Sequence, residues 1–280
     1  MEWEFTAQVQ AYAARTWGLL AARAAENTVA LTVIAKVRAG YRWSSDPMLF
    51  GWYESGSRVL GAVSMTPPFE LLLAEVPAQA MDELVRALLS DDVPVPGVNG
   101  DTVIAEAFAA AWTFRVPVRA TTTMRQRLYR LTTLRQPTPP PGHARAAHDG
   151  DLRPAVDWFT RFQIEAGAHA VDAETAVRDC IDNELLWLWE NADGHVVSMA
   201  GRNRAAAGVA RVGPVYTPPE HRRHGFGAAV TAACTSDALE HGAEQVVLFA
   251  DLANPTSNAI YQQIGYLPVR DHQVIRFAKR

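Results

Sequence analysis

The sequence is poor in cysteine and lysine, has no long apolar run and carries no large excess of charge; all but the scarcity of lysine remove a class of function. Only Cys180 and Cys234 occur among 280 residues. Two cysteines without paired spacing build neither a disulfide framework nor a zinc site. Both stand beside apolar residues in expected helices, so buried free thiols are expected, and no metal. Lys36 and Lys279 are the only lysines; the other basic residues are arginines. With 26 Lys and Arg against 30 Asp and Glu, the formal net charge is −4, too mild to predict nucleic acid or an anionic membrane as partner. No uncharged apolar stretch reaches the ~18 residues that span a bilayer. The opening Met-Glu-Trp-Glu-Phe lacks the basic start and apolar run of a secretory signal. The expected setting is the cytoplasm.

What is present is apolar material for more than one core, 49% of residues against 20% charged, and a strong punctuation mark. Arg135-Gln-Pro-Thr-Pro-Pro-Pro-Gly-His143 removes backbone donors and forces an extended chain, which excludes helix and central strand. It predicts a linker over 135–142 between a domain at 1–134 and another at 143–280. The flanks share an order of parts. Phe50–Ser64 and Leu185–Ser198 both read as strand, turn, strand, the second around Asp193-Gly194. Helical sequence precedes each hairpin, including Glu4–Arg23 and Thr28–Arg38 in the first half, and an apolar strand follows, Phe69–Val76 or Gly208–Tyr216. Alternating strands close the halves at Met124–Leu134 and Val274–Lys279. The expected fold class is α/β, an α+β mixed sheet flanked by helices and made twice.

In the second half a strand at Ala144–Ala147 leads, through Asp149-Gly150-Asp151, into a helix over Leu152–Ala166. A shorter helix spans Glu174–Asn183 and a long one Gly227–His241, with Val230, Ala233, Cys234, Ala238 and Leu239 at helical spacing. Gln245–Ala250 suits a buried parallel strand. A last helix over Ser257–Ile264 stops at Gly265, and two more strands are expected to finish the chain.

The chemistry concentrates where the strand ending at Tyr216 enters the long helix, through Arg222-Arg-His-Gly225-Phe-Gly227. The glycines let the backbone turn tightly and approach a ligand. The first helical turn presents N–H groups without internal partners, and with the helix dipole they form an anion site. Arg222, Arg223 and protonated His224 add positive charge. A pyrophosphate fits this description. The loop lacks the Lys-[Ser/Thr] ending of a P-loop, which argues against a nucleotide hydrolase.

These residues resemble the GNAT superfamily of N-acetyltransferases. Arg222, Gly225 and Gly227 match its [Arg/Gln]-x-x-Gly-x-[Gly/Ala] signature, and Val246–Tyr266 resembles its second block of strand, Asn, helix, Tyr and Gly-aromatic. The first half has a similar layout without the loop: Glu75-Val-Pro-Ala-Gln-Ala-Met-Asp-Glu-Leu is acidic and has no glycine. The chain thus resembles a tandem GNAT protein with a degenerate first copy. The resemblance implies acetyl-CoA lying between splayed strands, Gly208–Tyr216 and Gln245–Ala250, with Gly213-Pro214 helping to open them. Pantetheine would meet the backbone of Val215, Tyr216 and Thr217. The pyrophosphate would meet Arg222, Arg223, His224, Gly225, Phe226, Gly227 and Ala228; Asn254 would hydrogen-bond the pantetheine arm or fix the following turn, and Ser257 joins it among the cofactor-binding residues. Asn254 before Pro255 is also a natural helix cap. Tyr261 matches the family's general acid, whereas Glu165 and His169 are candidates for the base or acceptor site. Either can equally be a solvated loop residue, and water can relay the proton. The implied activity is acetyl transfer to a primary amine of a small molecule or peptide. Protein acetylation and a non-catalytic acyl-CoA sensor are the alternatives. Trp43, Trp52, Tyr53 and Trp112 in the first half are expected mainly in its core, with an acceptor wall as a second use.

Overall fold

The computed structural model describes residues 2–279. In chain order its elements are β1 (Glu2–Thr6), α1 (Val9–Ala21), α2 (Thr28–Arg38), β2 (Leu49–Ser55), β3 (Arg58–Met65), β4 (Leu71–Glu75), α3 (Met81–Ser90), β5 (Gly97–Asp101), α4 (Thr102–Arg115) and β6 (Val118–Leu131). They continue with β7 (His143–Ala146), α5 (Leu152–Glu165), α6 (Ala173–Asp182), β8 (Leu186–Glu190), β9 (Val196–Arg202), β10 (Val209–Tyr216), α7 (Phe226–Glu240), β11 (Gln245–Asp251), α8 (Pro255–Gln263) and β12 (Tyr266–Lys279). The first ten and the second ten follow one order, βααβββαβαβ, so the repeat read from the sequence is present in full.

Two readings are corrected. The expected helix from Glu4 begins only at Val9; residues 2–6 form β1, paired antiparallel with β2. The reason is the alternation of Trp3 and Phe5: Trp3 is buried and its Nε1 donates to Ala80 O at 3.1 Å. The expected two final strands are a single strand of 14 residues, β12.

The chain forms two compact units, one up to Gln126 plus the segment from Arg270 onward, the other Arg127–Val269. In the first unit the strand order is β1-β2-β3-β4-β5-β12. Its ladders are antiparallel except β4 with β5. In the second unit the order is β7-β8-β9-β10-β11-β6, antiparallel through β10 and parallel between β10 and β11. In each order the sixth place belongs to the strand that closes the other half of the sequence. Burial explains this: Tyr129 of β6 lies in the core of the second unit, and Ile275 of β12 in that of the first. A cut at 135–142 therefore differs from the division by compactness. The proline segment forms no helix or strand but is tied to the second unit, where Trp189 Nε1 donates to Pro141 O at 3.3 Å and Arg135 N to Ile264 O at 3.0 Å. Trp52, Tyr53 and Trp112 are buried.

Strand periodicity sets the layers of the second unit. Leu186 and Leu188 of β8 pack with Ala155, Val177 and Ile181 of α5 and α6. Trp187 and Trp189 point to the opposite face, with Val230, Cys234 and Ala238 of α7. Helix α5 is entered through a capping box in which His148 N donates to Asp151 Oδ2. Arg145 grips Asp151 through both terminal nitrogens, at 2.7 and 2.9 Å. Hydrogen bonds from Arg145 and His148 outweigh burial and hold the Asp151 carboxyl below its usual range.

One charged pair crosses this core. Arg202 of β9 reaches Asp237 of α7 through Nε at 2.7 Å and Nη2 at 2.6 Å, both side chains under a tenth exposed. Removing one partner leaves a buried charge without compensation, at a cost of about 3–5 kcal/mol. Asp237→Ala should lower the unfolding free energy in urea by an amount of that order, whereas a loss no larger than that of an exposed pair would contradict the burial argument.

Candidate functional site

The site grows from a break in one ladder. Strands β10 and β11 pair in parallel from Val209 with Gln245 to Val212 with Leu248, and the ladder goes no further. Both strands continue, β10 to Tyr216 and β11 to Asp251. Against β9 the register of β10 shifts between Val212 and Val215, an irregularity that bends a strand away from its neighbour. Gly213 adopts φ 148° at this point. The separation expected at Gly213-Pro214 is thus present. Within the opened segment, two carbonyls already accept bonds. Tyr216 O takes Ser198 Oγ at 3.1 Å, and Thr217 O takes Arg222 Nε at 2.8 Å.

Beyond the break, a short 3-10 turn over Pro219–His221 leads into the basic loop. Arg223 and Gly225 both take left-handed backbone, φ 66° and 84°. Left-handed residues curl successive N–H groups toward one side and make an anion-binding concavity. Gly225 is the N-cap of α7, and no side chain caps that helix. The first intrahelical acceptor, Gly225 O, takes Ala229 N. The preceding amides of Phe226, Gly227 and Ala228 are the helix's orphan donors, at the positive end of its dipole. A Cβ at Gly227 would sit 3.2 Å from Thr217 Oγ1, a tight contact to which the threonine side chain would have to give way. His224 stacks on Phe226, ring centroids 5.8 Å apart.

On the other side of the break, Asn254 caps α8, its Oδ1 accepting from Ser257 N at 3.0 Å. Two helical turns after Asn254, Tyr261 is buried among Tyr129, Ile264 and Tyr266. Burial pushes its hydroxyl up to about 12, with the neighbouring Ser257 side chain pulling the other way.

Glu165 and Arg222 are brought together, which sequence reasoning did not foresee. Arg222 Nη2 lies 3.0 and 2.7 Å from the two Glu165 oxygens, and Tyr216 Oη donates to Glu165 Oε1 at 3.1 Å. The Arg222 guanidinium also lies 5.7 Å from the centre of the Tyr216 ring, and Trp158 of α5 approaches that ring at 6.4 Å. Burial and the Glu165 carboxylate raise the Tyr216 hydroxyl above its ordinary value, while Arg222 and Arg161 oppose them. His169 is half-buried in the loop after α5. Glu220 is exposed on the 3-10 turn.

Two further residues shape the site. Asn258 Nδ2 donates to Asp251 O and Asn254 O, both at 2.7 Å, and its Oδ1 accepts from Tyr129 Oη at 2.7 Å. It thereby fixes the end of β11 to the start of α8. Its place four residues after the cap, on the cap's side of the helix, was the available signal; Tyr129 comes from 129 positions earlier and left none. Ser198 of β9 similarly ties Tyr216 O and Thr217 Oγ1. Among the described residues no cluster of three or more His, Cys, Asp or Glu could hold a metal, and no helix is long and apolar enough to cross a membrane.

Comparison with known proteins bears on the fold and on the second half of the chain. Residues 152–266 match the model of the acetyltransferase (GNAT) family. Among solved structures, a Drosophila protein has TM-score 0.66 at 13% identity, covering 89% of this chain and 86% of its own. A tandem GNAT protein from the clavulanic acid biosynthesis pathway has TM-score 0.63 at 15% identity, covering 99% and 98%. An acetyltransferase from Colwellia psychrerythraea has TM-score 0.55 at 14% identity, covering 89% and 97%. At these identities the likeness is one of fold, two GNAT-like domains in one chain. No curated protein matches in sequence.

Proposed function

We propose that this chain, whose residues 152–266 match the model of the acetyltransferase (GNAT) family, moves an acetyl group from acetyl-CoA to a primary amine of a small molecule or peptide by direct attack. The observation that carries the proposal is the uncapped start of α7 beside the end of the β10–β11 ladder. An anion cradle adjoins a gap between strands, which is what a pyrophosphate joined to an amide-bearing arm requires.

In this reading the backbone of Val215, Tyr216 and Thr217 takes the pantetheine amides as an added strand would. The amides of Phe226–Ala228 take the pyrophosphate, and Arg223 and His224 add charge around it. With its Oδ1 committed to the helix cap, Asn254 serves the arm through its NH2 group. Acetyl-CoA supplies the thioester. The neutral amine attacks the carbonyl, a C–N bond forms and the C–S bond breaks. Tyr261 gives its phenolic proton to the departing sulfur. The amine's proton passes to Glu165, directly or through water. His169, at the same end of α5, lines the acceptor side.

The test is release of free thiol from acetyl-CoA in the presence of a panel of primary amines. Amine-dependent release is the expected result. Acetyl-CoA binding without release by any amine, peptides included, would overturn the enzymatic reading.

A further inference from the structure

Arg222 occupies the first position of the signature that the sequence assigns to the pyrophosphate, yet its side chain points elsewhere. A guanidinium has five N–H donors. One, on Nε, holds Thr217 O at 2.8 Å, and Nη2 is spent on both oxygens of Glu165. Glu165 in turn accepts the Tyr216 hydroxyl. The three side chains come from the end of α5, the end of β10 and the loop before α7. Meanwhile the loop residues that curl toward the orphan amides of α7 are Arg223 and Gly225, which have the left-handed backbone. Arg222 itself is extended, φ −71° and ψ 157°.

We infer that Arg222 is a positioning residue of the acceptor side and not a ligand of the donor's pyrophosphate: it clamps Glu165 against Tyr216 and fixes both to the chain at Thr217. The inference rests on the site assignment proposed above and deepens it. Charge-assisted contacts of this kind are shorter and stronger than neutral ones. Without the clamp the Glu165 side chain, about half exposed at 47%, is free to sample other rotamers, and the Tyr216 hydroxyl loses its fixed acceptor. The pyrophosphate is left to the backbone amides of 226–228 and to Arg223.

Two donors separate the roles: acetyl-CoA, and acetyl-pantetheine, which lacks the pyrophosphate. The ratio of the acetyl-pantetheine Kd to the acetyl-CoA Kd measures what the phosphate-bearing nucleotide end contributes. In Arg222→Gln this ratio should stay within about twofold of the parent, while in Arg223→Gln it should fall about tenfold. With the amine returned by the thiol-release screen, Arg222→Gln should raise the acceptor KM about tenfold while leaving kcat within about threefold. Glu165→Gln removes the proton acceptor as well and should also lower kcat, and adding Arg222→Gln to it should raise the acceptor KM no further. A ratio that falls in Arg222→Gln as far as in Arg223→Gln, with the acceptor KM unchanged, would overturn the inference while leaving the donor assignment intact. Failure of the parent to bind either donor would instead remove the site reading, and the inference with it.

Discussion

Gly227→Glu should weaken acetyl-CoA binding by at least about 100-fold while leaving the chain folded. Two effects add. A Cβ added at Gly227 would lie 3.2 Å from Thr217 Oγ1, so bulk is added in the first turn of α7, beside the orphan amides. There the glutamate carboxylate meets the space reserved for an anion. Two like charges about 4 Å apart repel by roughly 4 kcal/mol at an effective dielectric of ~20, and each ~1.4 kcal/mol is a factor of ten in affinity. The same carboxylate is favourable to the helix itself, since it sits at the positive end of the dipole. Thermal melting should therefore be nearly unchanged while calorimetric binding disappears. Gly227→Ala is the control for bulk alone and should lose far less. Equal affinity in the glutamate variant and the parent would place the pyrophosphate elsewhere.

Tyr261→Phe should lower kcat by about 10²–10³, within the usual range for removing a general acid, and leave the Kd of acetyl-CoA within about threefold. The pH profile adds a second reading. A general acid works only while protonated, and burial holds this hydroxyl at about 12. The parent's kcat should show no alkaline decline attributable to Tyr261 through pH 10, since a phenol at its ordinary value would already be half ionised there. The sign for stability follows from the same shift. The folded state favours the neutral phenol, so its contribution is intact below about pH 10 and lost as pH rises from there toward 12. The phenylalanine variant should lack that part of the alkaline destabilisation. Full activity in the variant with a competent amine would assign the proton to another group.

Much of the architecture was legible because its signals are local. The basic loop, its two glycines, the Asn254 cap and the helices α2, α5, α6, α7 and α8 are written in spacing and in residues that start or stop helices. So was the repeat, which depends only on the order of elements. What stayed hidden depends on contacts between distant residues. Nothing near Tyr129 indicates that it holds Asn258, and nothing near Ile275 indicates that it completes the core of the first unit. A strand such as β6 or β12 shows its alternation but not which sheet it joins, because pairing partners are chosen by burial and not by period. β1 was misread for a related reason: five residues are too few for the alternation of Trp3 and Phe5 to outweigh the helical sequence that follows. Within the site, Arg222 and Glu165 were each singled out, but 57 positions apart nothing in the sequence couples them.

The central claim is that the second unit carries the donor site and the first does not. Its direct test is calorimetric titration of the full chain with acetyl-CoA, read for stoichiometry. The first unit ends its corresponding strand at Glu75 and enters α3 with Asp82 and Glu83 in the opening turn, an acidic start that repels phosphate. The account predicts saturable binding at one site per chain. Two equivalent sites, or no saturable heat at millimolar acetyl-CoA, would contradict it.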